Sequence, residues 1–206
     1  MVLIFDLDGT LVDSSKLLSN SINFVRGHFA LPPLSKDDIM QSISKTNINL
    51  RKYFYHVEEV TPKHRALFYE YYTKNAKDEL KLFDGAKEFL ERLQKDFTLT
   101  LATNAYKEST LTALKTLKIG DFFTMVVCGN EVKEPKPSPL MIEKILTTLK
   151  CQEALFIGDG DTDKEAAKKA DIPFIRVDFL YKKNGISSFR ELENKIYSII
   201  ATKELR

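Results

Sequence analysis

Residues 2–10 read VLIFDLDGT, an apolar run that stops abruptly at Asp6. A continuous apolar run with β-branched residues is typical of a parallel strand that is buried on both faces. Alternate residues of a strand share a face, so Asp6 and Asp8 should leave the strand end on the same side. Similar runs follow at residues 97–102, 125–128, 154–157 and 173–177. The sequence therefore predicts several buried strands, the first of which ends in two carboxylates.

Amphipathic stretches separate these runs, at residues 85–94, 109–117, 140–149 and 164–170. Strands that alternate with helices favour a parallel sheet with helical crossovers, so we predict a doubly wound, Rossmann-like α/β core. Ligands of such sheets bind beyond the carboxyl ends of the strands. The residues predicted at those ends are Asp6, Thr103, Gly129 and Asp159.

Residues 14–82 form an interval much longer than a crossover needs. Apolar residues with helical spacing occur near both ends of it, and prolines at 32, 33 and 62 mark breaks. We predict an inserted α-helical cap domain at 14–82 and a core formed by 1–13 and 83–206. Most of the aromatic residues of the insert suit the core of a small bundle better than a binding stripe. The set is Tyr53, Phe54, Tyr55, Phe68, Tyr69, Tyr71 and Tyr72.

The composition sets limits on compartment and partners. With 206 residues, 43% hydrophobic and 29% charged, the chain has the profile of a soluble globular protein, and a net charge of +2 gives no argument for nucleic acid. Cys128 and Cys151 lack a metal-ligand spacing and argue against a disulfide framework. The apolar run at 2–5 is too short to span a membrane. We expect a cytoplasmic protein, a monomer or weak dimer, with no nucleic-acid or membrane partner.

The first motif has two interpretations. Asp6 and Asp8 would repel each other, and both stay ionised only beside a positive charge, for which a hard dication with oxygen ligands is the natural candidate. Gly9 permits a sharp turn, and Thr10 can hydrogen-bond nearby backbone. An ordinary strand-end turn would use the same residue types. This motif alone leaves both interpretations open.

The second and third motifs could bind an anion. Thr103 and Asn104 place a hydroxyl and an amide before a helix, where backbone N–H groups can hold an anion, although a simple N-cap uses the same residues. Lys136 lies between prolines in EPKPSP at 134–139, which fixes its backbone and reduces the entropy lost on positioning its ammonium. A solvated loop lysine is the alternative.

The fourth motif, residues 156–163, reads FIGDGDTD. Its three aspartates in five residues need a counter-charge, and its glycines let the backbone come close to a ligand. Helix N-capping accounts for Asp161 or Asp163 and does not exclude a metal role for Asp159.

With these four motifs in this order, the chain resembles the haloacid dehalogenase-like superfamily, in the branch with a helical cap between the first and second motifs. The resemblance spans nearly the whole chain. It implies that Asp6 is a nucleophile that forms an aspartyl-phosphate, which water then hydrolyses. It also implies that Asp8 is the general acid and base. The haloacid dehalogenases themselves lack the second aspartate, so Asp8 favours phosphoryl transfer.

The resemblance also implies a Mg²⁺ cofactor and a phosphate site. Asp6, the backbone carbonyl of Asp8, and Asp159 would bind Mg²⁺, with Asp163 acting directly or through the groups around the metal. The transferring phosphoryl group would be held by Thr103, the Asn104 backbone and Lys136, which would also pair with Asp6. The cap would close over the site and select the leaving group.

Within this branch, residues 8–14, DGTLVDS, are most similar to phosphoglycolate phosphatases and their pyrophosphatase relatives. We therefore expect a small phosphorylated metabolite as substrate, with Lys45, Arg51 and Lys52 of the cap as candidate specificity residues or, equally, a solvated basic helix end. Residues 42–45 lack a glycine common in those caps, which leaves a different substrate open. A nucleotidase, a sugar-phosphate mutase and a silent binding protein remain alternatives. Mutase relatives usually carry a histidine and an Ala-Trp pair where residues 17–20 read LLSN.

Overall fold

The computed structural model describes residues 1–43, 45 and 48–204. The strands are β1 Val2–Phe5, β2 Val12–Asp13, β3 Lys81–Leu82, β4 Thr98–Thr103, β5 Met125–Cys128, β6 Ala154–Gly158 and β7 Phe174–Arg176. The helices are α1 Ser15–His28, α2 Lys36–Ile43, α3 Leu50–Tyr55, α4 Pro62–Glu79, α5 Ala86–Leu93, α6 Lys107–Leu117, α7 Leu140–Leu149, α8 Asp161–Lys169 and α9 Phe189–Glu204.

Five of the strands form a parallel sheet in the order β5-β4-β1-β6-β7, with β1 at its centre. Ile4 pairs in register with Thr100 on one side and Phe156 on the other. Since the strand order reverses direction at β1, helical connections lie on both faces of the sheet. The predicted doubly wound α/β core is confirmed.

β1 shows why a continuous apolar run is needed at the centre of the sheet. Its side chains alternate between two buried layers, because Leu3 and Phe5 belong to one core cluster while Val2 and Ile4 belong to the other. The Phe5 ring meets Phe89 of α5 edge to face at a centroid distance of 6.1 Å. Burial of each such side chain contributes about 1.5–3 kcal/mol to the stability of the fold. Packing therefore fixes β1 as far as Phe5, the residue before Asp6.

Helices α1 to α4 lie between β2 and β3. Ile22 of α1, Ile39 of α2 and Phe54 of α3 form a separate small core. Arg26 is 2% exposed, and its guanidinium donates to the carbonyl oxygens of Pro32 and Phe54, which ties α1 to the chain before α2 and to the end of α3. No described helix is long and apolar enough to cross a membrane.

A short antiparallel pair joins the two ends of this helical segment. Val12 pairs with Leu82 and Asp13 pairs with Lys81. These two strands were not predicted from the sequence, because two residues are too few to show a period. The exact division into a core and a cap at these positions stays a prediction.

Candidate active site

The carboxyl edge of the sheet brings the four motifs together. Asp6 directly follows β1, and its N–H continues the ladder by donating to the Ile157 carbonyl oxygen at 2.9 Å. Asp159 directly follows β6, and Thr103 ends β4. Parallel strands end at one edge, so their register alone places these side chains side by side.

Lys136 connects two of the acidic residues at this edge. Its Nζ atom donates to Asp6 Oδ1 and to Asp163 Oδ1, each at 2.6 Å, and its side chain is 2% exposed. Burial opposes the charge on Lys136, but the carboxylates of Asp163 and Asp6 outweigh it and raise the pKa of the ammonium. The lysine is therefore a fixed positive charge.

The backbone of Lys136 is held by Asn104. The Asn104 Nδ2 atom donates to the Lys136 carbonyl oxygen, and the Lys136 N–H donates to Asn104 Oδ1, both at 2.9 Å. The resemblance gave the Asn104 backbone a role at the phosphate, and this contact of its side chain with Lys136 was not predicted. The two residues are far apart in the chain, and no local pattern signals such a contact.

Asp6, Asp159 and Asp163 form an acidic cluster in which one oxygen of each lies within 4.8 Å of the others. Burial and then the charge of Asp163 raise the pKa of Asp159 to about 7. Burial also raises the pKa of Asp6, although Lys136 opposes this. One ammonium does not balance three carboxylates. An oxygen-only donor set with residual negative charge fits a hard dication.

Two glycines allow the backbone to approach this acidic cluster. Gly9 has φ +82°, and a Cβ there would lie 2.5 Å from Asp159 Oδ2. A Cβ at Gly158 would lie 2.5 Å from Asp163 Oδ2. Thr10 donates to Asp159 Oδ1 at 3.3 Å, and Gly160 N–H donates to Asp163 Oδ2 at 2.9 Å. The glycine positions thus decide where the carboxylates can lie.

Arg176 of β7 also contributes to the geometry of this site, and it was not predicted from the sequence. Its guanidinium donates to the Asp159 carbonyl oxygen and to Asp161 Oδ1, both at 2.6 Å. These bonds hold the loop between β6 and α8 from outside. The Asp161 carboxylate is not part of the acidic cluster, and its side chain is 63% exposed.

Asp8 is not part of the acidic cluster, and its carboxyl has a different environment. Burial raises the pKa of its carboxyl, while the Ser14 hydroxyl and the charge of Lys136 act in the opposite direction. The Ser14 hydroxyl approaches without meeting hydrogen-bond geometry, and nothing among the described residues bonds to the buried Asp8 Oδ1 atom. A carboxyl with a raised pKa and a free oxygen is suited to proton transfer.

A cavity of about 720 Å³ adjoins Asp8. The core contributes Asp8, Asn104, Ala105, Tyr106, Glu108, Ser109 and Asn130 to its walls, and the helical segment contributes Leu18, Tyr55, Val60, His64, Arg65, Ala66, Phe68, Tyr69 and Tyr72. The cavity therefore lies between the sheet edge and α4.

The three candidate specificity residues are elsewhere. Among the side chains the structure describes, those lining the cavity do not include Lys45, Arg51 or Lys52. Helix α3 buries Phe54 and leaves Arg51 and Lys52 on its outer face, where Lys52 pairs with Glu58 at 2.6 Å. The insert instead supplies Arg65, which the sequence analysis missed because it resembles any other surface arginine of a helix.

This arrangement of strand-end carboxylates, buried lysine and adjoining cavity defines a hydrolase-type site on a doubly wound sheet. A family model of haloacid dehalogenase-like hydrolases matches residues 3–177. A phosphoglycolate phosphatase from Yersinia pseudotuberculosis is 30% identical over 186 residues, covering 86% of this chain and 80% of that protein. Pyrophosphatase PpaX from Listeria monocytogenes is 31% identical over 178 residues, covering 82% and 79%.

The solved structure of CbbY from Rhodobacter sphaeroides in complex with phosphate shares the fold, with a TM-score of 0.76 at 18% identity over 93% of this chain and 95% of that one. The chain belongs to the haloacid dehalogenase-like hydrolase family. The predicted family is confirmed, and so is the predicted enzyme class, a phosphoric monoester hydrolase.

Proposed function

We propose that the chain is a Mg²⁺-dependent phosphatase that hydrolyses a small phosphorylated metabolite through a phosphorylated Asp6. The observation that carries this proposal is the pair of 2.6 Å bonds from buried Lys136 to Asp6 and Asp163. They fix a nucleophilic carboxylate beside a positive charge that can hold the phosphoryl group. The phosphatases among the relatives support the same reaction class.

In the first step an oxygen of Asp6 attacks phosphorus, and the bond between phosphorus and the leaving oxygen breaks. Asp8 donates its proton to that leaving oxygen. In the second step Asp8 removes a proton from water, which attacks the aspartyl-phosphate and releases phosphate and free Asp6. The raised pKa of Asp8 and its unbonded oxygen support this role.

The metal would be held by Asp6, the backbone carbonyl of Asp8, and Asp159, with Asp163 beside them. When bound, Mg²⁺ would supply the positive charge that lets the acidic cluster approach a phosphate. Thr103, the Asn104 backbone and Lys136 would hold the phosphoryl oxygens. The Thr103 hydroxyl accepts the Ala105 N–H at 3.1 Å, which leaves its own proton free to be donated.

We propose that residues 14–82 act as a cap over this site, excluding water and contacting the leaving group in the cavity. We also propose a cytoplasmic monomer or weak dimer without a nucleic-acid or membrane partner. The named relatives make 2-phosphoglycolate and pyrophosphate the first substrates to assay.

The test is release of phosphate from a generic aryl phosphate in the presence of Mg²⁺. Wild type should release it, chelation should stop the release, and Asp6→Asn should abolish it while thermal unfolding shows a folded protein. Full activity in Asp6→Asn would refute the assigned nucleophile. Inactivity of the wild type on every phosphorylated metabolite would favour a silent binding protein.

A further inference from the structure

The cavity is larger than a short leaving group requires. Its volume of about 720 Å³ lies in the range of pockets that enclose drug-sized molecules. Glycolate, the leaving group of 2-phosphoglycolate, has only a handful of heavy atoms. Such a group would contact little of the cavity wall and would leave water in the rest of the cavity. A small substrate therefore gains little binding free energy from this wall.

The walls of the cavity are aromatic on two sides. Phe68, Tyr69 and Tyr72 of α4 line it from the insert, and Tyr106 lines it from the core, just before α6. Tyr69 is 39% exposed and Tyr106 is 45% exposed, although both are large rings lining the cavity that Asp8 also lines. Tyr69 is thus one of the aromatic residues of the insert that are not part of its core. Accessible rings of this kind are suited to stacking against a planar group.

The charges in the cavity do not favour an acidic leaving group. Arg65 and Glu108 both line the cavity, so their formal charges cancel, and the Arg65 Nη1 atom donates to the Val60 carbonyl oxygen at 2.8 Å. Burial, and to a smaller extent the charge of Lys63, lower the pKa of His64, so its imidazole is neutral at pH 7. A second carboxylate or phosphate on the substrate would meet no surplus of positive charge.

Resting on the proposed phosphatase activity, we infer that the leaving group of the substrate is a neutral alcohol carrying a planar aromatic ring, as in a nucleoside monophosphate. The ring would contact Tyr69 and Tyr106, and its polar edge would meet the amide and hydroxyl groups of Asn130 and Ser109. Phosphoglycolate and pyrophosphate would then be poor substrates, although relatives are named for them.

The experiment compares two esters that differ only in the ring, adenosine 5′-monophosphate and ribose 5-phosphate, each with saturating Mg²⁺. In wild type kcat/KM should be about tenfold or more higher for the nucleotide, the size of effect expected for one stacked base. Tyr69→Ala and Tyr106→Ala should each reduce that ratio severalfold, mainly through the KM of the nucleotide. Tyr69→Phe, which keeps the ring, should retain the ratio.

Tyr53 offers a matched control, since it is 38% exposed on α3 of the same insert and does not line the cavity. Tyr53→Ala should leave the ratio unchanged. If ribose 5-phosphate or 2-phosphoglycolate is hydrolysed as efficiently as the nucleotide, the inference is overturned while the proposed function stands. If no ester releases phosphate, the proposed function fails and the inference fails with it.

Discussion

Asp163 and Lys136 are joined by an ion pair of 2.6 Å in which both side chains are at most 3% exposed. The other Asp163 oxygen accepts the Gly160 N–H ahead of α8. Asp163 therefore links the start of α8 to the lysine that also contacts Asp6. The positions of Asp6, Lys136 and α8 therefore depend on one another.

Replacing Lys136 with Met should be costly for both stability and activity. Removing one partner of a buried ion pair leaves uncompensated charge and typically costs about 3–5 kcal/mol. The free energy of unfolding, measured in urea without metal, should fall by that order, and phosphate release should be lost. Arg92→Met is the control, because its pair with Glu193 is at the surface and is worth little. Equal losses in both variants would contradict the buried role.

Asn104→Ala should weaken the fixation of Lys136 without removing its charge. Two hydrogen bonds are lost, each worth about 0.5–1.5 kcal/mol, so the free energy of unfolding should fall by about 1–3 kcal/mol. Phosphate release should slow about tenfold or more, because the backbone of Lys136 is no longer fixed and its ammonium is positioned less accurately. The control is Asn75→Ala, whose side chain donates to the Tyr71 carbonyl oxygen of its own helix. An unchanged kcat in Asn104→Ala would show that the prolines and the two carboxylates position the lysine without Asn104.

The sheet was predictable because its strands are buried on both faces and so read as continuous apolar runs. The same logic located Asp6, Thr103 and Asp159, since each lies where a buried strand ends. β2 and β3 were not predictable, because each spans two residues and depends on pairing across the whole insert.

Contacts between residues that are far apart in the chain could not be predicted either. The bonds from Asn104 to Lys136 and from Arg176 to Asp159 join side chains to backbone across different motifs, and no periodicity marks them. The sequence also does not show which aromatic rings of the insert are exposed, since Tyr69 and the buried Tyr72 belong to the same aromatic helical stretch. Only the packing of α4 against the core decides which of these rings is buried and which is exposed.

The acidic cluster should destabilise the protein without metal, and the same carboxylates should bind Mg²⁺. Asp159→Asn removes one of three mutually repelling carboxylates, so without metal it should unfold at a higher temperature than wild type. Mg²⁺ at one hundred times its Kd should stabilise folded wild type by about 2.7 kcal/mol, which raises the melting temperature, and it should barely affect the variant. Thermal unfolding in chelator and in Mg²⁺ measures both. Asp161→Asn, outside the acidic cluster, should respond to Mg²⁺ as wild type does.

The loop after β7 should make stability depend on pH through Asp178. Burial opposes ionisation of this carboxyl, but N–H donors from Lys183, Asn184 and Tyr181, at 2.8–3.0 Å, outweigh it and lower its pKa. Because the folded pKa is below the unfolded value, the carboxylate stabilises the protein above the unfolded pKa, and this contribution is lost as pH falls through the folded pKa. Asp178→Asn should therefore cost about 1 kcal/mol at pH 7 and progressively less under acidic conditions. Urea unfolding of both proteins across acidic and neutral pH measures the difference, and a cost independent of pH would show that the charge has no part in it.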